Sequence, residues 1–126
     1  MGKNVSISAS EREIMNVVWQ SGKSMCVNDI FKALGNSEWK YTTVATFLTR
    51  LCKKEFLVCE KRGNQNFYSA VLSEEEYMSE QTAEFVKEVY GGRSTEFIAA
   101  LAKDKISDAD YAELIDILKK YEDQQL

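Results

Sequence analysis

Between Glu38 and Lys54 the chain reads EWKYTTVATFLTRLCKK, and the threonines and cations of this stretch are the residues best spaced for chemistry. At the roughly 100° per residue of an α-helix, Thr43, Thr46, Arg50, Lys53 and Lys54 share one face, while Val44, Leu48 and Leu51 share another with Phe47 at its margin. Hydroxyls near a helix start and cations towards its end are the groups that base edges and phosphates of a DNA major groove engage. Thr42, Thr43 and Thr46 are therefore candidates for capping and base contact, Arg50 for guanine or phosphate, and Lys53 and Lys54 for backbone anchorage. The competing reading is an ordinary surface helix whose cations merely favour the negative end of its dipole.

Little else in the composition could do chemistry. The chain contains no histidine, which removes His-assisted Ser or Cys nucleophiles and the commonest ligand for zinc or copper. No Gly-rich phosphate loop or zinc-binding helix motif is present. An enzyme is not expected, nor a metal or other cofactor. Cys26, Cys52 and Cys59 make no CxxC pair and are odd in number, so buried reduced thiols are the expectation. A redox role for Cys52 or Cys59 stays open, with nothing adjacent in sequence to lower a thiol pKa.

The elements that must position the threonine and cation face follow from the rest of the chain. The 126 residues, 44% hydrophobic and 29% charged, suit one compact domain or two small modules. Zero proline and six glycines argue against a disordered linker or a turn-rich all-β fold. No apolar run reaches a membrane span, and Met1 to Ser10 is too polar for a signal peptide, so a cytoplasmic protein is expected. The formal charge of −4 hides a division: residues 1–72 hold ten Lys/Arg and six Asp/Glu, leaving six and fourteen for residues 73–126. A basic half can approach phosphate while an acidic half stays clear of it.

Ser8 and Glu11 form a capping-box pattern ahead of a helix from Ala9 to Gln20. Val27, Ile30, Phe31 and Leu34 mark a second helix closed by Gly35, and residues 35–40 connect it to the third, from Thr42 to Glu55. Leu57 to Lys61 and Asn66 to Ala70 read as a hairpin with Arg62 at a basic tip. Three helices and a hairpin make a winged helix-turn-helix, in which Lys61 and Arg62 of the wing would touch phosphate or the minor groove. The alternative is a winged-helix module that binds protein rather than DNA.

Ser73 with Glu76 opens a fourth helix, Ser94 a fifth and Ser107 with Asp110 a sixth. The predicted fold is mainly α with a small β-wing: a winged-helix domain over 1–72 and a three-helix domain over 73–126. Tyr77, Phe85, Val89, Phe97, Ile98, Leu101, Tyr111, Leu114, Ile115 and Leu118 give the second domain more apolar surface than so few residues can enclose. A second copy of the chain is the expected cover, presenting two recognition helices to a palindromic site; the alternative folds these helices back onto the first three.

The residues resemble the BlaI/MecI-type penicillinase repressors, which control β-lactam resistance genes. The likeness is carried by ISASEREIMNVVW from Ile7, EWKYTTVATFLTRLCKKEFL from Glu38, the wing ending at Tyr68, SEEEY from Ser73, VYGG from Val89 and ISDADYAELIDIL from Ile106. It implies a homodimer gripping inverted-repeat, double-stranded DNA through the third helix and wing, with an intertwined helical C-terminal domain. It also implies a membrane receptor-protease that cleaves the repressor. The family's Ser-Pro start of the third helix is Lys40 and Tyr41 here, an early basic residue is Ala45, and the scissile Asn-Phe falls on Ala99 and Ala100. The four-cysteine tail of the copper-sensing relatives is replaced by EDQQL after Tyr121.

Overall fold

The computed structural model describes residues 6–35, 38–103 and 106–124; residues 1–5 of the polar start and 36–37 of the connector lie outside them. The first helix, α1 (Ala9–Ser21), begins with the predicted capping box: the Ser8 hydroxyl accepts from the Glu11 N–H at 3.1 Å, and the Glu11 carboxylate accepts from the Ser8 N–H at 2.8 Å. A two-residue strand, β1 (Met25–Cys26), leads directly into α2 (Val27–Leu34), which Gly35 closes at φ +61°. The third helix, α3 (Tyr41–Lys53), starts one residue earlier than predicted. Its N-cap is Lys40, which makes no side-chain cap bond, so Thr42 does not cap it. What holds this start is tertiary packing: Tyr41 meets Phe31 edge-on at 5.8 Å, and Trp39 packs on Phe47 at 5.3 Å.

The exit from α3 is a Schellman turn. The Phe56 N–H donates to the Leu51 carbonyl and the Glu55 N–H to the Cys52 carbonyl, with Phe56 and Leu51 both buried. Glu55 occupies the left-handed position, φ +67°, where glycine is usual. The chain then forms β2 (Leu57–Arg62) and β3 (Gln65–Ala70), joined by a two-residue turn in which Gly63 supplies the positive φ. The sheet has three strands in the order β1-β3-β2, all antiparallel, rather than the hairpin alone. The two-residue strand lay hidden in the sequence because it is too short to show an alternating pattern.

Ile14, Met15, Val18, Ile30, Val44, Leu48 and Leu51 form the centre of the N-terminal core, closed below by Met25, Leu57 and Tyr68 from the sheet. The chain separates into two compact units, residues 1–81 and 82–126. The first turns of α4 (Glu74–Tyr90) thus belong to the first unit, whereas the sequence placed a boundary ahead of this helix. Tyr77 is the reason. Its ring is buried between Trp19 at 5.5 Å and Phe56 at 5.4 Å, with the Arg12 guanidinium 5.3 Å above it. The Trp19 indole N–H donates to the Leu72 carbonyl at 2.9 Å, fastening the approach to α4. The second unit contains the rest of α4, α5 (Ser94–Lys103) and α6 (Asp108–Gln124). No helix among the described residues is long and apolar enough to cross a membrane.

Candidate nucleic-acid interface

Burying Val44, Leu48 and Leu51 turns the opposite side of α3 to solvent. Thr42, Thr46, Thr49, Arg50 and Lys53 form its exposed stripe, while Thr43 is half-buried at the edge. Thr49 is an addition to the residues picked out by sequence; its spacing from Thr42 and Thr46 was the available signal. The Thr46 hydroxyl donates to the Thr42 carbonyl at 3.0 Å and the Thr49 hydroxyl to the Ala45 carbonyl at 3.1 Å. With those protons engaged, the oxygens keep lone pairs that suit the amino groups of adenine or cytosine, and the methyl groups suit thymine. One turn on, the Arg50 guanidinium lies 5.8 Å from the Phe47 ring centre, a contact that restricts the side chain without occupying its fork of donors.

Lys54 has a different task. Its ammonium donates to the Glu11 carboxylate at 2.7 Å and to the Ser6 carbonyl at 3.1 Å. Glu11 is 2% exposed. Burial pushes its carboxyl pKa up, but Lys54 and the Ser8 backbone and hydroxyl outweigh that and bring it below the ordinary value. Of the two terminal lysines, Lys53 faces solvent and Lys54 ties the end of α3 to the start of α1. Sequence spacing could not separate them, because both follow the helical stripe and Glu11 is distant in the chain.

On the wing, Lys61 and Arg62 are exposed and point to opposite faces of β2. Arg62 lies 4.7 Å from the Phe67 ring centre and donates to Glu60 at 2.8 Å and 3.2 Å. An exposed pair of this type contributes at most about 1 kcal/mol, so a phosphate can replace Glu60. The described residues include no group of three or more His, Cys, Asp or Glu placed to hold a metal ion.

The apolar residues expected at a dimer surface divide in two. Tyr77 lies in the core of the first unit, as described. In the second, Phe85, Val89, Leu101, Tyr111, Ile115 and Leu118 are exposed, and Phe97, Ile98 and Leu114 are half-buried. Phe85, Tyr90 and Phe97 meet edge-on with ring centres 5.8 to 6.1 Å apart. Of the described residues beyond Gln81, only Val86 is buried. Ala99 and Ala100 are exposed within α5.

Three helices, a small antiparallel sheet and a basic wing beside an exposed third helix define a winged helix-turn-helix protein. The chain belongs to the penicillinase repressor family, whose model matches residues 7–120. It is 32% identical to a penicillinase repressor of Staphylococcus aureus over 118 residues, 92% of this chain and 93% of the relative. A penicillinase repressor of Bacillus licheniformis is 30% identical over 127 residues, 99% and 98% of the two chains. Among solved structures, the DNA-binding domain of the repressor BlaI superposes with a TM-score of 0.52 at 36% identity, covering 61% of this chain and 94% of that one. Monomeric B. licheniformis BlaI in complex with the blaP half-operator gives 0.50 at 35%, with the same coverage. The family is one of repressors, in agreement with the expectation that the chain is not an enzyme.

Proposed function

We propose that the protein is a cytoplasmic transcriptional repressor that binds an inverted-repeat operator as a homodimer, with α3 in the major groove and the wing along the backbone. The observation that carries this reading is the exposed stripe of α3, where back-bonded threonines precede Arg50 and Lys53. The solved complex of B. licheniformis BlaI with a half-operator supports the DNA-binding part of this reading. Regulation of a β-lactam resistance gene is the reading favoured by the kinship with penicillinase repressors.

The homodimer rests on the second unit. Val89, Leu101, Tyr111, Leu118 and Tyr121 are 49 to 60% exposed in the single chain. Fully burying one such large apolar side chain yields about 1.5–3 kcal/mol, so a partner's matching helices would stabilise this unit substantially. The acidic charge of the same region would keep it off the phosphates. Release by a receptor-protease at Ala99–Ala100 would require unwinding α5, since both residues lie inside the helix.

Fluorescence anisotropy with labelled duplexes tests the DNA reading. Binding to random duplex at low salt, tightening on duplexes that carry an inverted repeat and falling steeply with salt, is the expected result. No binding to any duplex would instead favour a protein-binding winged helix, to which the acidic whole-chain charge is suited.

A further inference from the structure

The sheet register sorts the three thiols. Met25, Tyr68 and Cys59 form one cross-strand row, and Cys26, Phe67 and Glu60 form the next. Adjacent rows point to opposite faces. Met25, Leu57 and Tyr68 are buried against the helices, so Cys59 shares the helix-facing side, at a point where it is exposed rather than buried as the sequence suggested. Cys52, in the last turn of α3, packs partly buried against the same core. The Schellman turn at Glu55 reverses the chain from α3 into β2, so Cys52 lies just before the turn and Cys59 just after it, directly across the ladder from Tyr68. Burial first, and then the nearby Cys59 and Cys52, raise the Tyr68 hydroxyl's pKa, while Asn66 lowers it. Burial and the nearby Cys59 likewise push the Cys52 thiol up.

We propose that Cys52 and Cys59 form a dithiol site at which a small peroxide makes an intramolecular disulfide, tying the last turn of α3 to the first strand of the wing. Exposed Cys59 meets the oxidant first. Its thiolate attacks one peroxide oxygen; an S–O bond forms, the O–O bond breaks, and the departing hydroxide takes up a proton as water. The Cys52 thiolate then attacks the Cys59 sulfur, forming S–S and breaking S–O, and a second water leaves. Two thiols lose two protons and two electrons, and the peroxide is reduced to two waters. Cys26 is buried in the adjacent row, on the other face, and takes no part.

The consequence rests on the DNA-binding reading. Arg50 and Lys53 flank Cys52, and Lys61 and Arg62 follow Cys59, so the bond would fix the relative position of the two basic elements. A disulfide tolerates only a narrow range of Cα and Cβ separations, which leaves the helix and wing little freedom to adjust to a groove.

Peptide mapping of the whole protein after hydrogen peroxide and alkylation tests the proposal. The expected result is a tryptic species joining residues 51–53 to residues 55–61, with Cys26 alkylated and the link lost on reduction. Affinity for the inverted-repeat duplex should fall about tenfold, the scale of one displaced base-contacting arginine, and recover with dithiothreitol. Cys59→Ser should show neither change. No 51–53 to 55–61 link, a link through Cys26, or disulfide-linked dimers instead would overturn the site, and a complete link with unchanged affinity would overturn the coupling. The mapping needs no DNA, so failure of the reduced protein to bind any duplex would count against the proposed function while the linked peptide still decided the thiol pair.

Discussion

Replacing Lys54 by methionine removes the charge that faces Glu11 while keeping a side chain that can cover the same apolar surface. Breaking a buried ion pair from one side costs about 3–5 kcal/mol when the remaining charge is uncompensated. Glu11 keeps its bond from the Ser8 N–H, and the Lys54 side chain is 30% exposed, so the loss should be smaller, about 2–3 kcal/mol at neutral pH. The pH dependence sharpens the test. In the wild type the Glu11 pKa is depressed on folding, so its stabilisation is present above the unfolded carboxyl pKa and is lost as pH falls through the lower folded value. In Lys54→Met, burial of Glu11 is less opposed, its folded pKa rises, and protonation relieves the variant while the wild type loses its advantage. Urea denaturation of both proteins at pH 7 and pH 3.5 should therefore show a large deficit that shrinks in acid. A deficit under about 0.5 kcal/mol, or one equal at both pH values, would refute the view that Lys54 acts through Glu11. Anisotropy on the folded variant supplies a second reading: the salt dependence of DNA binding should match the wild type, since this ammonium is already engaged by protein.

Arg50→Ala should weaken operator binding by about 1–3 kcal/mol, whereas Lys53→Ala should weaken random and operator duplexes alike and lower the salt slope by about one; anisotropy across salt concentrations separates them. Glu55→Gly relieves a left-handed residue and should raise stability by about 1 kcal/mol, read as a shift in the urea midpoint. Leu118→Glu should convert the dimer to monomer in light scattering and reduce affinity for the full inverted repeat far more than for a half-site. A variant that still scatters as a dimer would remove α6 from the interface.

Local patterns made most of the architecture readable without coordinates. Ser8 with Glu11 and Ser73 with Glu76 announced helix starts because capping depends on residues three apart, and both boxes are present as hydrogen bonds. The period of Val44, Leu48 and Leu51 fixed the inner face of α3, and the outer face follows from it. The start of α3 was less readable, since Lys40 offers no cap and its support comes from Phe31 and Trp39 in tertiary contact.

What the amino-acid order determined by itself is therefore periodic and local: three helices, a basic hairpin, further helices rich in apolar residues, and a threonine and cation stripe suited to DNA. Tertiary structure decided the rest. It paired Lys54 with Glu11 across 43 positions, drew Tyr77 into the first core, aligned β1 beside β3 and set Cys59 across the ladder from Tyr68. Such choices turn on which distant residues meet and how much water each loses, and neither quantity is carried by spacing along the chain.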